Sequence, residues 1–147
     1  MAVITTARPP LNLFEVVRLG FSSSFVTLYD VPIYLVPASG PTPPYYVAAA
    51  AIITSVVVVN TSGSSANFDM QIQDPISPVP PYTPPLTYTD YMIVENLTVG
   101  ANSFVNVDLN RQVVKSLQRV QIRASAGATL TAHFSFVLNQ REQFTII

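Results

Sequence analysis

The chain has no cysteine and no tryptophan, one histidine, five glycines and only 10% charged residues in 147. Each scarcity excludes something. Without thiols there are no disulfides, no thiolate nucleophile and no cysteine-ligated structural zinc, so the redox compartment leaves no mark on the sequence. A single imidazole excludes His-cluster metal sites. Seven Lys and Arg against eight Asp and Glu leave a net charge of −1, without the basic footprint that nucleic-acid binding requires. Charge is also too sparse to coat an ordinary monomer, in which about 25% of residues are charged. The surface must be Ser, Thr, Asn, Pro and apolar atoms, as in a subunit of an assembly.

Long apolar runs are missing too. The longest, "YYVAAAAII" continued by "TSVVVV" to Val59, falls short of the ~20 residues of a spanning helix, and its second half is β-branched. No membrane segment is expected. The opening "MAVITTARPPLNLFEVVRLG" lacks a basic start, an apolar core and a small-residue cleavage site, so no secretory leader is expected.

What is present is period-two alternation. Phe68, Met70 and Ile72 alternate with Asn67, Asp69 and Gln71; Val105, Val107 and Leu109 with Asn106 and Asp108; Val120, Ile122 and Ala124 with Gln121, Arg123 and Ser125. Leu130, Ala132, Phe134, Phe136 and Leu138 continue the rule. These are half-buried strands. "NTSGSSA" (60–66) and "SAGA" (125–128) read as hairpin connections, and "TVGANS" (98–103) as a third turn setting "YMIVENL" against "FVNVDLN". The pattern predicts an all-β fold, an antiparallel β-sandwich, jelly-roll-like and of about eight strands, over residues 25–147. Val56, Val58, Phe68, Met70, Ile72, Val105, Val107, Ile122, Phe134 and Phe136 are expected inward. Both parities of 52–59 are apolar, so that strand's inward set is ambiguous.

Nine of the thirteen prolines fall in "PTPPYY" (41–46) and "DPISPVPPYTPPLTY" (74–88), which are expected as loops because proline cannot donate to a ladder. The second is stiff and polyproline-like, flanked by Tyr82, Tyr88 and Tyr91. It reads either as a contact surface or as a loop packed back on its own sandwich. Residues 1–24 read as an N-terminal arm lying on a surface: Leu11, Leu13, Phe14, Val16, Val17, Leu19 and Phe21 make it too apolar to float free. "NLFEVVRL" allows two helical turns capped by Asn12. The sandwich is expected to fold without this arm.

No catalytic constellation emerges. His133 sits on the polar parity of its strand with no nucleophile partner in sequence, the acids are scattered, and the Gly–Ser stretches at 20–25 and 61–65 lack the following Lys-bearing helix of a phosphate loop. No enzyme, cofactor or metal is expected.

The order of parts carries a resemblance. "VTLYDVP" (26–32), "AAIITSVVVVNTSGSSANFDMQI" (50–72), "YMIVENLTVGANSFVNVDL" (91–109) and "VQIRASAGATLTAHFSFVL" (120–138) together resemble a layout of small β-sandwich virion proteins of tailed bacteriophages. The chain departs from that layout in its insertions at 33–46 and 74–88, and in "RQVVKSLQR" where a "GD" usually precedes the penultimate strand. The resemblance implies a virion location as a capsid decoration or cement protein, or a neck or tail accessory protein. Its implied partners are copies of itself, a trimer by preference, and a different virion protein such as the major capsid protein. Leu11, Leu13, Phe14, Val17, Leu19, Phe21, Tyr45, Tyr46, Tyr82, Tyr88 and Tyr91 are the expected interface residues. Two other readings are a glycan- or receptor-binding module that stacks sugars on the tyrosines, and the capsid-building jelly roll of a small virus.

Overall fold

The computed structural model of the protein describes residues 4–5, 12–79, 81–83 and 85–145. Among these, eleven strands follow in order: β1 (Ile4–Thr5), β2 (Asn12–Phe21), β3 (Val26–Asp30), β4 (Ile33–Val36), β5 (Tyr45–Asn60), β6 (Ala66–Pro75), β7 (Tyr88–Val99), β8 (Ser103–Asn106), β9 (Val113–Lys115), β10 (Arg119–Ala124) and β11 (Leu130–Thr145). The larger sheet runs β1-β4-β5-β11-β2, with β8 and β9 also paired to β5; the smaller runs β3-β10-β6-β7. All pairs are antiparallel except β1 with β4. The fold is a β-sandwich.

Its connections make it a jelly roll. Chain order takes β2 to β3, β5 to β6, β7 to β8 and β10 to β11 from the larger sheet to the smaller or back. These four crossings meet at one end. Asn102 N donates to Ser62 O at 2.8 Å, Ser125 N to Asn67 O at 2.8 Å, and Ala124 N to Ser22 O at 2.7 Å. The stretches at 60–66, 98–103 and 125–128, expected as hairpins, are therefore arches between sheets. A Gly/Ser turn between two alternating strands looks the same in sequence whether the strands pair with each other or with others. Taking β8 and β9 as one interrupted strand, eight strands form the roll; β4 is added beside β5, and β1 beside β4.

The core lies between the sheets. Leu130, Ala132, Phe134, Phe136 and Leu138 of β11 are at most 1% exposed, and Val56, Val58, Phe68, Met70, Ile72 and Ile122 are buried with them, while Val105 and Val107 are half-buried against that core. The sheets touch through rings: Tyr29 of β3 and Phe136 of β11 have centroids 4.0 Å apart. The ambiguous parity of β5 is resolved by a bulge. Ser135 faces Ser55 and Phe136 faces Ile53, so Thr54 is the extra residue. That shift lets Ala51 and Ile53 point inward on one side of the bulge and Val56 and Val58 on the other.

The expected arm lies on the sandwich itself. From Asn12 to Phe21, β2 pairs with β11 in unbroken register, and Phe21 is 3% exposed in the core with Val17 and Leu19 packed against it. The two helical turns allowed over 12–19 do not form: Glu15, Val17 and Leu19 alternate with exposed Phe14, Val16 and Arg18, which is strand geometry. Both proline-rich loops are present with narrower limits, since Tyr45 and Tyr46 open β5, Pro75 ends β6 and Tyr88 opens β7.

Candidate functional site

The outer faces of the two sheets differ in kind. On the smaller sheet the outward side chains satisfy one another. Gln71 Nε2 donates to Gln121 Oε1 at 2.8 Å, Gln121 Nε2 to Thr27 Oγ1 at 3.3 Å, Arg119 Nε to Gln73 Oε1, and Gln73 Nε2 to Asp90 Oδ1 at 2.7 Å. Arg119 also lies over the Tyr88 ring, 4.2 Å from its centroid. Farther along, the Arg123 Nε–Asp69 Oδ2 ion pair measures 2.9 Å and the Asn96 N–H reaches Asp69 Oδ1 at 2.7 Å. Burial pushes the Asp69 carboxyl up, but that N–H and the guanidinium outweigh it and hold the group below its ordinary value.

On the larger sheet the outer face carries large apolar side chains among polar ones, and it has two halves. Period-two alternation turns Ile33 and Leu35 of β4 and Tyr46 of β5 away from the main core. There they form a second cluster with Leu117 and with Tyr82 and Leu86 of the proline-rich loop. Tyr46 Oη donates to Pro81 O at 3.0 Å, and the Tyr46 and Tyr82 rings meet edge-on at 5.0 Å. The loop after β6 is thus a flap folded over one half of the face.

The other half is bare. Phe14 (70% exposed) and Val16 (68%) project from β2, Phe104 (62%) from β8 and Val113 (40%) from β9. Register sets Phe14 beside Val137 of β11, Val137 beside Ile52 of β5, and Ile52 beside Val113. That is a continuous apolar row across four strands. Arg18 and Lys115, both exposed, share this outward parity, and half-buried His133 stands in register with Arg18 and Val57. No acid projects from these strands among the described side chains, because Glu15 has the inward parity.

Several expected interface residues lie elsewhere. Leu11 is outside the described residues, as is the side chain of Leu13. Phe14 is exposed on the bare face, whereas Val17, Leu19 and Phe21 point into the sandwich, because β2 is a strand with two faces rather than an apolar arm. Tyr46 and Tyr82 are 2% and 8% exposed: the flap covers one with the other, so neither is a free contact residue. Tyr45 packs against the main core and Tyr88 is half-buried, while Tyr91 is 55% exposed on β7. The five tyrosines do not converge on one concavity. Val16, Phe104 and Val113 were missed as surface residues. Phe104 carried a signal, being a phenyl ring on the polar parity of "FVNVDL", as did Phe14 and Val16 on the parity of Arg18.

A shallow cleft of about 230 Å³ lies where β5 is uncovered between β8 and β9, lined by Thr54, Ser55, Asp108, Asn110 and Arg111 among others. Asp108 Oδ1 accepts from Asn110 N at 2.9 Å, and no imidazole lines the cleft. Among the described residues no three His, Asp or Glu side chains are grouped as metal ligands. No family model, curated protein or solved structure matches the chain.

Proposed function

We propose that the protein is a non-enzymatic structural component of a tailed-phage virion, a capsid decoration or cement protein that stabilises the particle through protein–protein contacts with the major capsid protein. The observation that carries an assembly role is the bare half of the larger sheet's outer face, where Phe14, Val16, Phe104 and Val113 remain in water while the proline-rich flap covers the adjoining half. Large apolar side chains left exposed together on one sheet face mark interaction sites. The phage particle as the setting rests on the order of sequence motifs between residues 26 and 138. A neck or tail accessory role uses the same surface at another station.

The test is reconstitution. Purified protein added to particles lacking it is expected to co-sediment and to occupy fixed positions in an electron-microscopy map, and Phe14→Asp with Phe104→Asp is expected to abolish occupancy without unfolding the chain. Absence of binding by the wild-type protein to any station overturns the proposal. The jelly-roll strand order favours one second reading, a shell-building subunit. Closed shells formed by the purified chain alone would establish that reading instead.

A further inference from the structure

The described surface exposes large apolar side chains in three places, the bare face of the larger sheet, β7, and Ile76 with Val79 on the flap, and the first two have neighbours of opposite charge. On the larger sheet, Phe14, Val16, Phe104 and Val113 are accompanied by Arg18 and Lys115, with exposed Asp108 and Arg111 offsetting one another at the cleft between β8 and β9. At 62–70% exposure, two phenyl side chains of roughly 200 Å² contribute about 260 Å² of uncovered ring surface, before the valines and the half-buried Ile52, Val57, Val59 and Val137. The second place is β7, an edge strand of the smaller sheet, where Tyr91 (55% exposed), on the parity of Ile72, and Met92 (44%), on the parity of Gln71, project to either side of the strand. Exposed Asp90 and Glu95 flank them, and the sequence of β7, "YTDYMIVENLTV", contains no cation.

We propose that copies of this chain associate head to tail, the bare outer face of the larger sheet in one copy receiving the β7 edge of the next. Charge complementarity selects this pairing over the alternatives. Face against face sets Arg18 and Lys115 against their own kind, and edge against edge does the same for Asp90 and Glu95. Face against edge brings cations to acids and joins both uncovered apolar patches in one contact. β7 meets the face through side chains rather than by adding a strand, because register shifts on either side of Met70 disrupt its ladder with β6. Since the two surfaces differ, the contact is heterologous, and it closes into a ring when the rotation per copy divides a full turn.

This inference rests on the assembly reading above but has its own test. Sedimentation equilibrium of the full chain at tens of micromolar is expected to give a discrete oligomer at low salt. Arg18→Glu with Lys115→Glu is expected to give monomer, as is Asp90→Lys with Glu95→Lys, and the chain carrying all four substitutions is expected to recover the wild-type mass. All four side chains are exposed, and the bond lost in Asp90→Lys, from Gln73 Nε2, is itself exposed, so each variant should stay folded with a melting temperature within a few degrees of wild type. A wild-type monomer overturns head-to-tail association while leaving particle binding intact. An oligomer indifferent to the β7 substitutions, or one that the fourfold variant fails to restore, overturns it as well.

Discussion

Asn60→Ala is expected to cost more stability than any other polar substitution at the end where the four arches meet. Asn60 closes β5 and is 1% exposed. Its amide Nδ2 donates to Ser64 O at 2.8 Å, Gly100 O at 3.2 Å and Val99 O at 3.3 Å, while Oδ1 accepts from Ser62 N at 3.0 Å and Ser62 Oγ at 2.9 Å. One side chain thus holds the β5–β6 arch in shape and ties it to the β7–β8 arch. Two to three net bonds at about 0.5–1.5 kcal/mol each, plus desolvated groups left without a partner, give a loss of about 2–4 kcal/mol. Out of a total stability of about 5–15 kcal/mol, that is a large share. Urea titration should show a lower midpoint at unchanged slope, and the melting temperature should fall by roughly 5–15 °C. Asn60→Asp sharpens the test. It keeps the acceptor for Ser62 but turns a charged oxygen toward three carbonyl oxygens, so it should be at least as damaging as alanine. A cost below about 0.5 kcal/mol for alanine, or a milder effect for aspartate, would refute the reasoning.

Deleting residues 1–24 is expected to abolish cooperative unfolding rather than leave a folded sandwich, because it removes β2 and with it buried Phe21, whose truncation alone should cost about 3–5 kcal/mol; near-ultraviolet circular dichroism of the truncated chain checks this. Tyr82→Ala should release the flap, measured as protease cleavage between residues 76 and 87 that the wild-type chain resists, with the main core intact since Tyr82 belongs to the second cluster. Asp69, whose folded-state value lies below its unfolded one, contributes stability above pH ~4 that is lost as pH falls through the folded value. The stability difference between wild type and Asp69→Asn, from urea titrations, should therefore be larger at pH 7 than at pH 2, and an equal difference at both refutes the assignment.

Alternation made the strands legible, and with them the all-β class and most of the core. The ten residues expected inward are buried or half-buried. Partnership was not legible, because the pattern 66–72 states which side chains share a face but not which strand lies alongside. Arches and hairpins draw on the same Gly, Ser and Asn chemistry, and the difference resides in contacts such as Asn102 to Ser62 that no local window contains. β2 was obscured for the opposite reason: Phe14 and Val16 fill the parity where polar residues announce a strand, so the segment read as uniformly apolar. The same side chains that hid the strand make up the bare face.

The register of β2 on β11 also governs how the molecule answers force. Asn12 and Asn139 are opposite one another at one end of that ladder, and Phe21 and Leu130 at the other. Tension that draws Asn12 and Asn139 apart opens the ladder like a zipper, one pair at a time, and yields at low load. Tension entering at Asn12 and leaving through the arches at the far end loads all ten pairs in shear, and they resist together. Whichever surface anchors this protein, its direction of pull decides whether the sandwich behaves as a soft joint or a stiff clamp.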